Sequence, residues 1–475
     1  MSEKTKFIKR VGLIGFTNII TLLVGLILIP VFTKGKPIEY YGIWVQINVS
    51  LNLIPALTCL GLPYTLVRYL PGEKDPDKIG DTVYSIISTV IIINTILAPF
   101  IAYLVIRYVT ANQTNLIPIF TVLLIIQAIY SVGIAYLRAL QRVKKYSLII
   151  ITQNMITALV VSLLISWGYG IKSALEALLL INTLITLILI SEIIRDNGIR
   201  LPRFKDIGEH LSFGLPTILG NFSDWIVSSS DRYLIGYFMG IAYVGYYNPS
   251  YSIASLVNIF MWPLVFMLPP KLSELYEDGH LSEIRLYLEY SLKYYLLLAI
   301  PSLFGISALS KPVLAIISTP EIASKSFLIV PIVSASVILY GVYAIISQIF
   351  VIKKRTGFIA KVWMMAATLN LVLNIIAIPY LGLMGAAIAT LLAYVLSFVL
   401  TVRYANKLFT VPFKVLDTVK ITLGATAMYL MITFIEVSKI TDLIVTVIGG
   451  TLFYFLLMYL LGVFSKKELD LLKSN

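Results

Sequence analysis

Residues 11–32 read VGLIGFTNIITLLVGLILIPVF, and four basic residues, Lys4, Lys6, Lys9 and Arg10, stand just before this apolar run. A helix needs about 20 such residues to cross a hydrocarbon core of about 30 Å. No clear cleavage site follows the run, so we interpret it as a transmembrane helix rather than a signal peptide. Apolar runs with basic residues at one end recur along the whole chain.

Fourteen such runs predict an all-α integral membrane protein with fourteen transmembrane helices. Their approximate bounds are 9–32, 41–67, 81–107, 116–139, 146–167, 172–193, 211–231, 243–268, 286–309, 327–351, 358–379, 383–404, 416–436 and 442–463. With a cytoplasmic N-terminus, 29 of the 37 lysines and arginines fall in cytoplasmic segments and 8 in outer segments. This split follows the positive-inside rule. We therefore predict a multi-pass protein of the cell membrane with both termini in the cytoplasm.

The composition argues against several classes of function. Charged residues make up 13% of the chain, against about 25% in a soluble domain, and the net charge of +13 suits contact with anionic lipid headgroups. No basic run alternates with aromatic residues, so we expect no nucleic-acid partner. Cys59 is the single cysteine, and His210 and His280 lack zinc-ligand spacing. Without a phosphate-binding loop motif either, we expect no cofactor and no enzymatic activity.

The longest polar stretch, between Arg195 and Ser212, predicts a linker between two six-helix lobes around a central cavity. The predicted division has four parts: an N-terminal six-helix lobe over 1–195, a cytoplasmic linker over 196–210, a C-terminal six-helix lobe over 211–405, and helices 13 and 14 with a cytoplasmic tail over 406–475.

A weak internal repeat supports two related halves. Tyr41-Gly42 recurs 203 residues later as Val244-Gly245, and Arg68 recurs at the same offset as Lys271. Both halves start on the same side of the membrane, so the repeat is a parallel one. Repeats of this kind build transporters whose substrate site lies near the middle of the membrane.

Polar residues inside the apolar runs are candidates for binding substrate, because they are costly in a bilayer. Asn48 and Asn52 lie one helical turn apart and share a face; hydrogen bonding between neighbouring helices is the alternative. Four basic residues lie nearest the membrane, and snorkelling to the interface is their alternative role. These residues are Arg68, Arg138, Lys271 and Lys293.

Several short motifs, in their order along the chain, resemble those of polysaccharide transporters. They are Tyr40-Tyr41-Gly42-Ile43-Trp44, Gly61-Leu62-Pro63, Phe213-Gly214-Leu215-Pro216, Asp231-Arg232-Tyr233-Leu234-Ile235-Gly236 and Val244-Gly245-Tyr246-Tyr247. The resemblance covers essentially the whole chain. It is to the O-antigen-type flippases of the multidrug/oligosaccharidyl-lipid/polysaccharide exporter superfamily.

This resemblance implies a flippase that moves a lipid-linked oligosaccharide or polysaccharide repeat unit across the membrane by alternating access. We expect a monomeric transporter that contacts membrane lipids and works beside glycosyltransferases. Flippases of the lipid II type carry arginines inside their first, second and eighth helices. The matching interiors here carry none, and the eighth offers Tyr251 instead, which argues against lipid II as the cargo.

The resemblance also implies a cation site between the seventh, eleventh and twelfth helices, and with it coupling to Na⁺ or H⁺. Asp231, Asn370, Asn374 and Thr390 fall at the matching places, and their oxygens suit a small hard cation. The alternative for Asp231 is an ion pair with Arg232 that holds the end of the helix.

Two other functions compete with the flippase. A multidrug or cation antiporter of the related multidrug extrusion family normally has twelve helices, so helices 13 and 14 argue against it. A membrane glycosyltransferase or polymerase usually needs a sizeable acidic loop outside the membrane, and the longest predicted outer loop here, 310–326, has about 17 residues.

Overall fold

The computed structural model describes residues 3–73, 75–110, 113–411 and 413–464, with side chains from residue 12 onward except for those of 219–221. Within these ranges the chain is helical and has no strand, which confirms the predicted all-α class. The α-helices are α1 (Glu3–Thr33), α2 (Ile38–Thr58), α3 (Leu62–Tyr69), α4 (Pro76–Val109), α5 (Ile117–Ala139), α6 (Val143–Ser166), α7 (Ile171–Asn197), α8 (Ile207–Phe238), α9 (Ile241–Ala254), α10 (Trp262–Glu277), α11 (Leu281–Ala308), α12 (Ser310–Ile317), α13 (Pro320–Ser326), α14 (Ile329–Ile346), α15 (Gln348–Ile352), α16 (Thr356–Leu381), α17 (Leu383–Leu408), α18 (Val415–Thr433) and α19 (Ile440–Leu460).

Twelve helical segments of the described chain are long and apolar enough to cross a membrane. A thirteenth candidate is the pair formed by α2 and the segment Leu62–Gly72, which is bent by 66° at a short break. The seventh predicted span corresponds to α8, which is not among these candidates and carries Asp224, Asp231 and Arg232. A helix or helix pair thus lies at each predicted position, and the number of fourteen crossings stays a prediction.

The chain divides into two compact units, Met1–Asn248 and Pro249–Asn475. We refer to them as unit 1 and unit 2. This boundary lies inside α9, whereas the sequence predicts a division at the linker 196–210, and the proposed lobes remain a prediction.

Unit 1 is built around α5, which packs against α2, α3, α4 and α7. Its core contains apolar side chains from α3, α4, α5 and α7, together with Cys59, which directly follows α2. The buried members are Cys59, Leu62, Leu66, Leu70, Val83, Ile86, Val90, Ala128, Val132, Ala135, Tyr136, Ala139 and Ile193. Burial of these side chains orders the helix ends that carry Arg68 and Arg138.

Glycines of the sequence motifs allow helices of unit 1 to approach closely. A Cβ atom on Gly245 would lie 2.7 Å from the carbonyl oxygen of Ile38, and one on Gly42 would collide with the carbonyl oxygen of Ile241. The two contacts are reciprocal at the 203-residue offset of the internal repeat. Only glycine leaves room for backbones at this distance.

A second glycine contact explains the break between α2 and α3. Gly61 adopts a left-handed conformation with φ of +72°, and its Cα faces the backbone of Gly214 in α8. A Cβ atom on Gly214 would lie 2.6 Å from the carbonyl oxygen of Leu60. Two separate motifs of the sequence therefore meet at one helix crossing.

In unit 2, α11 packs against α14 and α18, and α17 packs against α14 and α16. The predicted outer loop 310–326 is folded into the short helices α12 and α13. Thr319 caps α13, since its hydroxyl accepts a hydrogen bond of 3.3 Å from the amide of Ile322. Pro263 lies in the first turn of α10, after a 3₁₀ segment over Ser255–Phe260 that interrupts the eighth predicted span.

Candidate functional site

A cavity of about 240 Å³ opens in unit 1 between α2, α3 and α5. Its wall combines aliphatic carbon with amide, hydroxyl and guanidinium groups. The lining residues are Leu51, Asn52, Pro55, Ala56, Cys59, Gly61, Pro63, Tyr64, Val67, Gln127, Tyr130, Ser131, Ile134, Ala135 and Arg138. We call this the polar cavity.

Two of the predicted substrate-binding residues, Asn52 and Arg138, line the polar cavity. Arg138 lies in the last turn of α5 and is exposed. Arg68 lies in the last turn of the neighbouring α3, is exposed, and directly follows the lining residue Val67. The cavity therefore has one guanidinium on its wall and a second beside it.

The side-chain amides of Asn48 and Asn52 donate their hydrogen bonds within α2, and not to neighbouring helices. The Asn48 amide donates to the carbonyl oxygen of Trp44 at 2.8 Å, and the Asn52 amide donates to that of Asn48 at 3.0 Å. Each side chain thereby turns back along α2. The Asn52 side chain is exposed into the polar cavity.

The polar residues Gln127, Tyr130 and Ser131 belong to the site, but we did not predict them. The Gln127 side-chain oxygen accepts a bond of 3.4 Å from Asn182, whose own oxygen accepts a bond of 2.7 Å from Gln153. This amide chain links α5, α7 and α6 beneath the cavity. A glutamine in the middle of an apolar span is the signal that would have identified it.

The remaining predicted substrate residues lie in unit 2. Lys271 forms an ion pair of 3.2 Å with Glu274, one helical turn away. Lys293 is buried, and its ammonium lies 5.8 Å from the centre of the Tyr294 ring. Tyr251 is half-buried in α9, and its carbonyl oxygen accepts a bond of 2.8 Å from Ser255.

Lys293 also lines a small recess beside the ion pair between Lys414 and Glu289. The Lys414 ammonium lies 2.5 Å from the Glu289 carboxylate. This hydrogen bond raises the pKa of Lys414 above its ordinary value, and the partial burial that opposes the rise is the smaller effect. The lysine therefore remains charged across the physiological range.

Asp231 of unit 1 is the centre of a buried network. Its side chain is 1% exposed, and that of its neighbour Arg232 is 5% exposed. One carboxylate oxygen accepts bonds from the Arg232 guanidinium at 2.8 Å and the Arg232 backbone amide at 2.9 Å, and the other accepts a bond of 2.7 Å from the Tyr247 hydroxyl. Arg232 also donates to the carbonyl oxygen of Ser228 at 2.7 Å.

These contacts include the ion pair with Arg232 that is the alternative role for Asp231, but the pair does not lie at the helix end, because α8 continues to Phe238. Both carboxylate oxygens have protein partners, and burial of the charges requires such partners. Tyr247 comes from the motif that follows the aspartate by 16 residues. The role of Asp231 as a cation ligand stays a prediction.

The other three predicted cation ligands lie together in unit 2, on the packed helices α16 and α17. Asn370, Asn374 and Thr390 are fully buried. The Asn374 amide donates to the Asn370 side-chain oxygen at 3.0 Å. The Asn374 side-chain oxygen and the Thr390 hydroxyl have no hydrogen-bond partner within the described residues. Two unpartnered oxygens of this kind are the chemistry that a small cation requires.

A larger and more apolar cavity, of about 520 Å³, lies in unit 2 between α11, α18, α19 and the 3₁₀ segment before α10. We call it the apolar groove. It is lined by Ile253, Leu256, Phe260, Leu298, Pro301, Ser302, Gly305, Ile306, Leu309, Val313, Met428, Ile432, Leu443, Val447, Gly450, Thr451, Tyr454 and Phe455. Among the lining residues none is charged.

The sequence matches a family described as polysaccharide biosynthesis protein over residues 37–321, which includes all the motifs quoted above. The chain belongs to this family. The match includes the polar cavity of unit 1 and the Asp231 network, and it ends before the helices α16 to α19.

Named relatives come from archaea. The probable low-salt glycan biosynthesis flippase Agl15 of Haloferax volcanii is 24% identical over 54% of this chain and 55% of its own length. The probable flippase AglR of the same organism is 26% identical over 54% of this chain and 55% of its own length. The match thus spans about half the length of these two curated relatives.

Solved structures confirm the fold. The lipid II flippase MurJ in an inward closed conformation superposes with a TM-score of 0.77, at 19% identity, over 95% of this chain and 98% of its own. An inward-facing multidrug resistance transporter of the MATE family superposes with a TM-score of 0.63, at 15% identity, over 82% and 94%. The chain therefore has the fold of the superfamily that the sequence motifs resemble.

Proposed function

We propose that this protein is a flippase that moves a lipid-linked oligosaccharide or polysaccharide repeat unit across the cell membrane by alternating access. The observation that carries the proposal is the polar cavity of unit 1, with Arg138 on its wall, in a chain whose named relatives are flippases of glycan biosynthesis. A glycolipid with a phosphate-bearing headgroup needs a site of this chemistry inside a membrane protein.

The lining of the polar cavity suits a sugar phosphate. Asn52, Gln127 and Ser131 supply donors and acceptors for sugar hydroxyls, and the rings of Tyr64 and Tyr130 supply flat apolar surface. A guanidinium binds phosphate through paired N–H groups, and such charge-assisted bonds are about twice as strong as neutral ones. We propose that Arg138 holds the phosphate while the other groups contact sugar.

The apolar groove of unit 2 suits the lipid tail of the same substrate. Its walls carry no charge and few polar atoms, so a hydrocarbon chain loses no hydrogen bond on entering it. Dispersion contacts between the tail and the packed walls favour binding over free lipid. Drug-sized cations would gain little in a groove without acidic residues.

Coupling to an ion gradient is part of the proposal. Asn370, Asn374 and Thr390 provide buried oxygens for Na⁺, and Asp231 is the acid that the family resemblance adds to them. A cation that binds one conformation more tightly shifts the population toward it. Its gradient would then bias the transport cycle without nucleotide hydrolysis.

We propose a monomer with both termini in the cytoplasm, working beside the glycosyltransferases that build its substrate. An antiporter for drugs or cations is the alternative, and the fold shared with MATE transporters leaves it open. The two functions differ in cargo, so transport of a purified glycolipid separates them.

The test is transport in proteoliposomes that contain the purified protein and an isoprenoid-phosphate-linked oligosaccharide. Appearance of the glycan on the far leaflet is followed by its accessibility to a lectin. We expect the native protein to move the glycolipid, and Arg138→Gln and the pair Arg68→Gln with Lys271→Gln to lose this activity.

Arg403→Gln is the matched control, because Arg403 is an exposed arginine near the end of α17 and lines neither cavity. It should transport as the native protein does. If Arg138→Gln transports the glycolipid as the native protein does, the polar cavity does not take part in transport. Efflux of organic cations without glycolipid movement would establish the antiporter instead.

A further inference from the structure

The linker between α7 and α8 is held in one place by polar contacts with α4. The Tyr84 hydroxyl donates to the carbonyl oxygen of Gly198 at 2.6 Å. Ser85 donates to the carbonyl oxygen of Arg203 at 2.6 Å and accepts from its amide at 3.0 Å. We call residues 198–206 the strap. These hydrogen bonds fix the backbone of the strap against α4 at both Gly198 and Arg203.

Two ion pairs fix the side of the strap that faces α4. Arg200 pairs with Asp77 at 2.7 Å, and Arg203 pairs with Asp81 at 3.0 Å. Gly80 lies directly under Arg200, since a Cβ atom there would come within 2.8 Å of the arginine side chain. The glycine thus makes room for the arginine to lie flat on the helix.

The opposite side of the strap is apolar and exposed. Ile199 and Leu201 flank the docked Arg200 and are 85% and 86% exposed. Arg200 is docked on α4 through its ion pair with Asp77, whereas both of its chain neighbours remain exposed. Phe204, at the end of the strap, is 44% exposed. Three large apolar residues that remain unburied in an ordered loop require a partner.

Basic residues surround this apolar side. The Arg203 side chain is 76% exposed despite its ion pair, and Lys205 and Lys78 are exposed. The exposed acids nearby are Asp75, Asp77, Asp206 and Glu209, of which Asp77 is neutralised by its ion pair with Arg200. The strap connects two helices on the predicted cytoplasmic side, where anionic lipids attract basic residues near the membrane surface.

We propose that the strap is a membrane-interface anchor: Ile199, Leu201 and Phe204 insert among anionic phospholipid headgroups, and Arg203, Lys205 and Lys78 contact those headgroups. Apolar insertion and electrostatic attraction together give interfacial binding. The anchor would hold the cytoplasmic ends of α4, α7 and α8 at a fixed depth. It does not depend on the substrate or on transport.

The test measures the depth of the strap in the full-length protein. Single cysteines replace Ile199 or Leu201 in a Cys59→Ser background, carry a nitroxide label, and are reconstituted in vesicles of phosphatidylcholine with phosphatidylglycerol. We expect collisions with a water-soluble nickel chelate to be several-fold rarer than at the control position Asp278→Cys, an exposed residue of the α10–α11 turn. Collisions with oxygen should be correspondingly more frequent.

A second variant isolates the charge contribution. Lys78→Gln with Lys205→Gln should make the labels shallower in anionic vesicles but leave them unchanged in pure phosphatidylcholine. Full nickel accessibility at both positions in anionic vesicles would overturn the proposal. Protection from nickel without more frequent collisions with oxygen would also overturn it, because a protein surface and not a lipid would then cover the strap.

Discussion

The polar cavity of unit 1 and the apolar groove of unit 2 differ in the chemistry of their walls. The smaller one carries a guanidinium, amides and tyrosines, and the larger one is lined almost entirely by hydrocarbon. A glycolipid has the same two parts, a polar head and an apolar tail. Under the proposed flippase function, the polar cavity suits the head of such a molecule and the apolar groove suits its tail, so the two cavities do not duplicate one site.

Filling each cavity separately should break this division and has the largest expected effect. Ala56→Phe places a ring in the polar cavity, and Ser302→Phe places one in the apolar groove. Both variants should lose glycolipid transport. Binding should separate them: Ala56→Phe should lose affinity for a water-soluble sugar phosphate, and Ser302→Phe for the isoprenoid lipid, as measured by equilibrium binding in detergent.

Leu392→Phe serves as the control, because Leu392 is exposed on α17 and lines neither cavity. It should retain both kinds of binding. If each cavity variant loses affinity for both the sugar phosphate and the isoprenoid lipid, head and tail share one site. That result would contradict the separate roles of the polar cavity and the apolar groove.

A second prediction concerns the buried carboxylate of Asp231 in unit 1. Asp231→Asn leaves Arg232 buried beside a neutral amide, and loss of one partner of a buried pair costs about 3–5 kcal/mol. The variant should unfold at a markedly lower temperature in detergent. Asp224→Asn, an exposed acid on the same helix, should change little. Unaltered stability with a lost Na⁺ or pH response would instead favour a cation site at Asp231.

In unit 2 the side-chain oxygen of Asn374 and the hydroxyl of Thr390 have no hydrogen-bond partner within the described residues, so the expected effect of removal is smaller and opposite in sign. Thr390→Val removes this buried hydroxyl. An unsatisfied buried polar group costs about 1–3 kcal/mol, so the variant should be more stable in Na⁺-free buffer. If the oxygens bind Na⁺, added Na⁺ should raise the unfolding temperature of the native protein and not of the variant. Thr401→Val serves as a matched control, because Thr401 is a buried threonine of the same helix that is not one of the predicted cation ligands.

The smallest expected effect is on the pH dependence of stability, and it compares the two histidines, His210 of unit 1 and His280 of unit 2. Burial lowers the pKa of His210 in unit 1, and the nearby carboxylates of Glu209 and Asp206 oppose this only in part. The folded protein therefore prefers the neutral ring, and its stability should fall as the pH drops below about 6.5, the ordinary pKa of histidine. His210→Phe should flatten this acid-side loss in thermal unfolding. His280→Gln in unit 2 is the control at an exposed histidine, and an effect equal to that of His210→Phe would contradict the assignment.

The sequence predicts the positions of the helices well, because the length of an apolar run and the charge at its ends are local properties. Asn52 and Arg138 are identifiable as candidates for the same reason: a polar residue in or beside an apolar run is conspicuous, and both line the polar cavity. The bond from Tyr247 to Asp231 could not be found, because it depends on how α8 and α9 pack. The apolar groove could not be found either, since Leu298 or Val447 looks the same in sequence whether it faces lipid or a cavity.

The reciprocal glycine contacts have the symmetry of a dimer interface inside one chain. Gly42 meets Ile241, and Gly245 meets Ile38, at one constant offset. When position i meets position j and j meets i, the geometry is that of an isologous interface. One local pattern, a glycine four residues after the isoleucine that meets the glycine of the other helix, is thus used twice. A larger residue at either glycine would separate the same pair of helices, so the two positions share one steric constraint.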